Sequence, residues 1–293
     1  MSAAAEAGPE SVDDVTARLC SINQWTLKTT PFTEFVVACA RRGVQHVGLW
    51  RQNVAEVGVQ RAAAIVRDAG LHVTTLCRGG FFTAADPEVH RAAIADNRAA
   101  IDEAVTLGAD VLVMVPGGVE RTRQDIDDAR RRVSESLAEL TSYAEAAGIR
   151  LAIEPMHPLF AADRGVISTI DEALDIADQT ASPNVGVVVD TYHTWWDPRL
   201  PAAIGRAARA DRLFSYQVAD WSLPLHVDPL TSRGYPGDGY INFGPITRAI
   251  AAAGYVDPVE VEIFNDEIWA QPAEQVISTV QQRFARLIAP YLG

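Results

Sequence analysis

Ile149-Arg150-Leu151-Ala152-Ile153-Glu154-Pro155-Met156-His157-Pro158 reads as a short apolar strand that delivers a carboxylate and then stops. Ile149, Leu151 and Ile153 are branched and apolar, which suits a buried strand. Pro155 has no N–H to give to a sheet ladder, so the strand ends near Glu154. An acidic side chain therefore stands at the carboxyl end of a strand, with His157 in the turn beyond. The device recurs downstream. Val185 to Val189 runs into Asp190, followed by His193, and Val256 to Val261 runs into Glu262, followed by Ile263-Phe264-Asn265-Asp266. Any one acid in a loop is ordinary. Three at matching strand positions call for a fold that gathers strand ends.

Outward from this stretch the chain alternates strand and helix. Strands are expected at Arg18 to Trp25, Val44 to Trp50, Leu71 to Cys77 and Val111 to Val115. The Glu154 and Asp190 strands follow, then Leu213 to Ala219 and the Glu262 strand. Helices are expected from Thr30-Pro31 to Arg42, Val54 to Ala69, Asp86-Pro87 to Gly108, Ile126 to Ala147, Ile170 to Asp178, Pro201 to Ala210, Pro245 to Ala253 and Pro272 to Leu292. In the fourth of these, Ile126, Ala129, Val133, Leu137, Leu140, Ala144 and Ala147 form one apolar stripe. Gly43, Gly70, Gly108, Gly148 and Gly254 each sit just before a strand, where a helix C-cap belongs. Repeated strand–helix units imply parallel strands under helical cover, and eight of them imply a closed (β/α)₈ barrel. An open doubly wound sheet is the alternative. It would want a Gly-rich phosphate loop after the first strand, and Ser21-Ile22-Asn23-Gln24-Trp25 has none.

Composition narrows the classes. A chain of 293 residues fits one α/β barrel, so residues 16–293 are read as a single catalytic domain. Residues 1–15 are Ala-rich and acidic, read as a disordered N-terminal tail without the basic start and apolar core of a signal peptide. A net charge of −13 argues against a nucleic-acid partner, which would meet a basic surface. No apolar run reaches the roughly 20 residues of a membrane span, so no membrane partner is expected. Cys20, Cys39 and Cys77 have no metal-ligand spacing and read as reduced thiols of a cytoplasmic protein.

In such a barrel the carboxyl ends of the strands converge on one site. Glu154, Asp190, Gln217 and Glu262, from the fifth to eighth strands, all offer oxygen and are read as ligands of one divalent metal. An all-oxygen set suits Mg²⁺ or Mn²⁺. His193 and His157 are read as contacts to substrate oxygens or as orienters of the carboxylates. Arg78, beside Gly79-Gly80, would hold an anionic or polyhydroxylated group, or form a structural ion pair. Trp25 and Trp50 would wall a sugar ring or pack the rim. The long loop Trp221 to Asn242 is long enough for a lid, and its Arg233 would reach substrate.

The chain resembles the xylose isomerase-like barrel superfamily over roughly residues 18–290, especially its sugar isomerase/epimerase branch. That branch holds ketose 3-epimerases, hydroxypyruvate isomerases, inosose dehydratases and 3-dehydroshikimate dehydratases. Glu154-Pro155, Asp190-Thr191-Tyr192-His193, Gly237-Asp238-Gly239 and Glu262-Ile263-Phe264 carry the resemblance. It implies a bound divalent metal, with Glu154 and Glu262 serving also as the acid/base pair. The strand-seven ligand of these proteins is most often His, whereas this chain has Gln217, as hydroxypyruvate isomerase-like and dehydroshikimate dehydratase-like members do. The chemistry implied is enolisation of a small sugar or keto-polyol. Its first exit is isomerisation or epimerisation. A lyase exit is the alternative, either a dehydratase or a C-glycoside-cleaving subunit with a partner chain. A homodimer is also implied. A reading of another class is a non-catalytic barrel or a partner-dependent binding subunit. A Schiff-base aldolase is disfavoured, because Lys28 is the only lysine and lies in the first βα loop. An abasic-site nuclease is disfavoured too, because Arg78, Val115 and Gln217 stand where it would need histidines.

Overall fold

Eight parallel strands close on themselves in chain order, the last pairing with the first through Ser21↔Glu260 and Ile22↔Val261. The computed structural model describes residues 11–121 and 124–292. The strands are Cys20–Asn23, His46–Trp50, His72–Gly80, Val111–Val115, Arg150–Ile153, Val185–Asp190, Leu213–Val218 and Val259–Val261. The expected (β/α)₈ barrel is therefore present. The fourth strand is buried at every position, as a strand covered on both faces must be.

Helices pack outside this wall, and local chemistry sets their ends. Helix Ile126–Ala147 starts where the Asp125 side chain accepts from the Asp128 N–H and stops at left-handed Gly148. Its stripe, Ala129, Val133, Leu137, Leu140 and Ala144, is at most 1% exposed. Each buried leucine there contributes about 2 kcal/mol. Helix Pro87–Leu107 begins after the capping Asp86, with Pro87 in its first turn, and ends at left-handed Gly108.

Several boundaries differ from the sequence reading: the first strand ends at Asn23, the second starts at His46, the eighth starts at Val259 and the last helix ends at Leu287. Three further differences have a clear local cause. The expected tail is cut short by helix Val12–Leu19, capped by Ser11 and carrying Asp13 and Asp14 in its first turn. The first strand therefore starts at Cys20 rather than Arg18. Residues 1–10, the rest of the expected tail, lie outside the described residues. The single helix expected from Val54 to Ala69 is two, Arg51–Val57 and Val59–Asp68, because Gly58 between them takes φ +85°. The third strand runs on past Cys77 to Gly80, with a register shift between Cys77 and Gly79. No described helix is long and apolar enough to cross a membrane.

Candidate metal centre

The strand ends bring the three sequence-predicted carboxylates to one side of the barrel. Glu154 follows the fifth strand directly, and its N–H still donates to Met114 O at 3.0 Å, continuing the ladder. Asp190 closes the sixth strand, its Oδ1 accepting from the Tyr192 N–H at 2.8 Å. Glu262 follows the eighth strand, tied to Val218 O at 3.3 Å. All three are buried, at 5%, 0% and 3% exposure.

One guanidinium binds the cluster together. Arg233 is 1% exposed, and its Nη1 donates to Asp190 Oδ2 at 2.9 Å and Glu262 Oε2 at 3.0 Å. The rings of Tyr192 and Phe264 flank it at 4.8 and 4.7 Å. It reaches this depth because the loop after the seventh strand folds back as a hairpin, Asp220–Trp221 against Arg233–Gly234. Asp220 pins that loop by accepting from the N–H groups of Gly237 and Ile241 at 2.8 and 3.0 Å. His193, fully buried, lies 3.9 Å from Glu154 Oε1 and from Asp190 Oδ2. Its Nδ1 accepts from the His157 N–H at 3.2 Å, while its Nε2 lies 3.0 Å from Arg233 Nη2. A neutral imidazole has a single acceptor nitrogen, so these two contacts compete.

Burial and mutual repulsion dominate the electrostatics. Burial first, then the charges of Glu262 and Asp190, hold the Glu154 carboxyl well above its usual range. Burial raises Asp190, against the pull of Arg233. Glu262 is pushed up to about 8 by burial, again opposed by Arg233. His193 is driven well below the ordinary histidine value by burial and by Arg233, so its ring is neutral.

Gln217 shows how the floor of the site is built. Its Nε2 donates downward to Glu260 Oε1 at 2.8 Å, and its Oε1 is buried with no hydrogen-bond partner. Glu260 was not singled out in the sequence. It lies two residues before Glu262 on the same strand, so both side chains enter the barrel, Glu260 one layer deeper. The alternation Val259-Glu260-Val261-Glu262 was the available signal. Glu260 Oε1 also accepts from Asn23 Nδ2 at 2.8 Å, and Oε2 accepts from the hydroxyls of Thr74 and Thr75 at 2.9 and 2.7 Å. Burial raises this carboxyl, and its four donors pull it back. A Cβ on Gly48 would lie 2.3 Å from Glu260 Oε2, which explains a glycine inside the second strand.

The donor set fits a divalent cation. Three carboxylates against one guanidinium leave two net negative charges when all are ionised. The Gln217 carbonyl oxygen, on the residue paired with Asp190, is buried with no hydrogen-bond partner and so is an unused ligand atom. Ligand atoms of Glu154, Asp190 and His193 lie within 4.8 Å of one another, and those of Cys77, Glu260 and Glu262 form a second such group.

The remaining predicted residues are placed unevenly. Trp50 and Arg78 line the pocket above the cluster, which encloses about 380 Å³ with its open mouth included. Trp25 stacks on Trp50 at 3.9 Å and stands behind it, outside the lining. His157 also lies outside the lining; its ring packs against Trp196 and Trp221, and its Nδ1 accepts from the Leu159 N–H.

The xylose isomerase-like TIM barrel family matches residues 34–286. The chain belongs to this family. Among curated relatives, this xylose isomerase-like barrel is 24% identical to an inosose isomerase of Bacillus velezensis over 94% of the chain and 98% of that protein. It is 31% identical to a 3-dehydroshikimate dehydratase of Pseudomonas putida over 58% of the chain and 26% of that protein. A crystal structure of a Sinorhizobium meliloti 1021 protein superposes with a TM-score of 0.90 at 45% identity, covering 92% of this chain and 98% of the other. The IolI protein, whose crystal structure holds a zinc atom, superposes at 0.81 with 21% identity over 93% and 99% of the two chains.

Proposed function

We propose that this chain is a divalent-metal-dependent enzyme that enolises a small polyhydroxylated ketone or sugar, with isomerisation or epimerisation as its product-forming exit. The observation that carries the reading is Gln217. Its amide is anchored at the nitrogen end and leaves a buried, unpaired oxygen on the residue that pairs with Asp190 across the neighbouring strand. Glu154, Asp190, Gln217 and Glu262 would hold the ion, and the all-oxygen set favours Mn²⁺ or Mg²⁺. Such an ion, when bound, polarises a ketone carbonyl and stabilises an enediolate.

The chain's own groups do the rest. Glu154 and Glu262 lie on opposite sides of Asp190 in strand order and share the raised proton affinity of a buried, repelling set. Both carboxyls therefore hold a proton more tightly than an exposed glutamate does, the direction that suits groups which must take up and return protons. One carboxylate, ionised, takes the proton from the carbon beside the carbonyl. The other returns a proton to the neighbouring carbon, or to the opposite face of the same one. Arg233 fixes Asp190 and Glu262, and the hairpin carrying it helps exclude water. His193, neutral, fully buried and outside the pocket lining, positions Arg233 and the His157 turn through its two ring nitrogens.

Loss of a β-hydroxyl from the same enediolate is the second reading, favoured by the 31% identity to a dehydratase. The test is incubation of Mn²⁺-, Mg²⁺- or Zn²⁺-loaded protein with keto-polyols and ketoses in heavy water. Deuterium on the carbon beside the carbonyl supports enolisation. New unsaturation would select the lyase exit. Wild-type deuterium uptake by Glu262→Gln would refute the assigned roles.

A further inference from the structure

We propose that the substrate is an anion, a hydroxyketone whose carbon chain carries a carboxylate, and that Arg78 receives that carboxylate. The proposal rests on the enolisation reading for the other end of the substrate. It starts from the third strand. Cys77 pairs with Val113 and Gly79 pairs with Met114, so Arg78 is skipped as a bulge. A regular strand alternates its faces, yet Cys77 and Arg78 both line the pocket. The bulge re-aims Arg78 into it.

The guanidinium placed there is uncommitted. Among the described residues the guanidinium carbon lies 3.9 Å from the Phe81 ring, and no carboxylate or hydrogen-bond acceptor pairs with it. Asp96 and Glu103, which border the adjoining cleft with Arg78, are both engaged by Arg51 at 2.7–3.0 Å. A second guanidinium, Arg164, lines the same pocket, and its nearest acid is Asp163 at 2.9 Å. In a chain of net charge −13, an arginine left unpaired in the central pocket is a recognition element rather than a surface charge.

Charge balance selects the anion. With a divalent ion bound, the charges of Glu154, Asp190, Glu262 and Arg233 are balanced, and Glu260 lies a layer below them among neutral donors. Arg78 is uncompensated and Arg164 is paired with Asp163, so the wall carries close to one net positive charge. A monoanionic carboxylate matches that wall better than a dianionic phosphate, and the guanidinium fork fits it bidentately.

The experiment is calorimetric titration of the Mn²⁺-loaded full chain with D-fructose, D-fructuronate and D-fructose 6-phosphate, with metal content measured on the same samples. D-fructuronate is expected to bind roughly tenfold to hundredfold tighter than D-fructose. Arg78→Gln is expected to erase the preference, Arg78→Lys to keep part of it, and Arg164→Gln to weaken it. Raising the salt should shrink it. Equal affinity for the sugar and its carboxylate, a preference that survives Arg78→Gln, or tighter binding of the phosphate would each overturn the proposal. A protein that takes up Mn²⁺ but shows no preference refutes this inference alone. A protein that prefers the carboxylate yet takes up no metal keeps the anion subsite and refutes the enolisation reading.

Discussion

Replacing Glu260 tests the floor that orients Gln217. Four donors converge on this carboxylate: two amides on Oε1 and two hydroxyls on Oε2. Glutamine at this position keeps one acceptor oxygen. The amide pair is the rigid one, because Asn23 cannot turn over: its Oδ1 already accepts from Trp50 Nε1 at 2.8 Å and the Trp25 N–H at 2.9 Å. The threonines can adapt, since Thr74 has Val47 O at 3.2 Å as another acceptor. The new amide therefore turns its oxygen to Asn23 and Gln217. The loss is that of charge assistance, set against relief from burying a charge, and a net destabilisation of about 1–3 kcal/mol follows. Valine leaves all four donors without an acceptor. At about 1–3 kcal/mol each, partly relieved by the threonines, the expected loss is about 5 kcal/mol. The Gln217 amide is then free to turn, so Mn²⁺ affinity falls in Glu260→Val and much less in Glu260→Gln. Urea denaturation of metal-free protein and Mn²⁺ titration read the two effects separately. In a Gln217→Ala background, Glu260→Val should produce no further loss of metal affinity. Glu260→Val within about 0.5 kcal/mol of wild type, the outcome when an apolar side chain replaces a buried charge without cost, would refute the reasoning.

Three further outcomes follow from the same geometry. Arg233→Met strips the counter-charge from Asp190 and Glu262 and should cost about 3–5 kcal/mol in metal-free protein, much of it restored by Mn²⁺; thermal melts with and without the ion measure both. Gly48→Ala drives a methyl into the Glu260 carboxylate and should lower stability by about 1–3 kcal/mol, read in the same melts. The folded-state pKa values of Glu154, Asp190 and Glu262 are raised, so the folded state binds their protons more tightly than the unfolded chain does. Their contribution to stability is fully present below the unfolded carboxylate range and is lost as pH rises through about 8, the value for Glu262. Metal-free protein should melt progressively lower across that window, while stabilisation by Mn²⁺ grows as the ligands deprotonate; melting curves across the window check both.

Much of this was legible because it depends on local chemistry. Left-handed Gly108 and Gly148 end their helices whatever they pack against, and Pro155 ends the fifth strand at Glu154 by lacking an N–H. Together such marks count out eight strand–helix units and place three carboxylates at one end of the barrel. What stayed hidden depends on contacts far apart in sequence. Arg233 lies 16 residues beyond Gln217, and only the hairpin with Asp220–Trp221 carries its guanidinium under the mouth. The aim of Arg78 depends on a register shift that no residue type announces. Glu260 and the helix at Val12–Leu19 were readable, the first from strand alternation and the second from Ser11 ahead of Asp14. They lost to simpler readings, a strand that ends in one carboxylate and a tail that is acidic throughout.

The central claim is that Glu154, Asp190, Gln217 and Glu262 form one metal site. Metal content after loading with Mn²⁺ and removal of free ion, wild type beside Glu154→Ala, Asp190→Ala and Gln217→Ala, tests it most directly. About one ion per chain is expected in the wild type, lost from both carboxylate variants and weakened in Gln217→Ala. A wild type that retains no divalent ion, or carboxylate variants that retain it undiminished, would contradict the account.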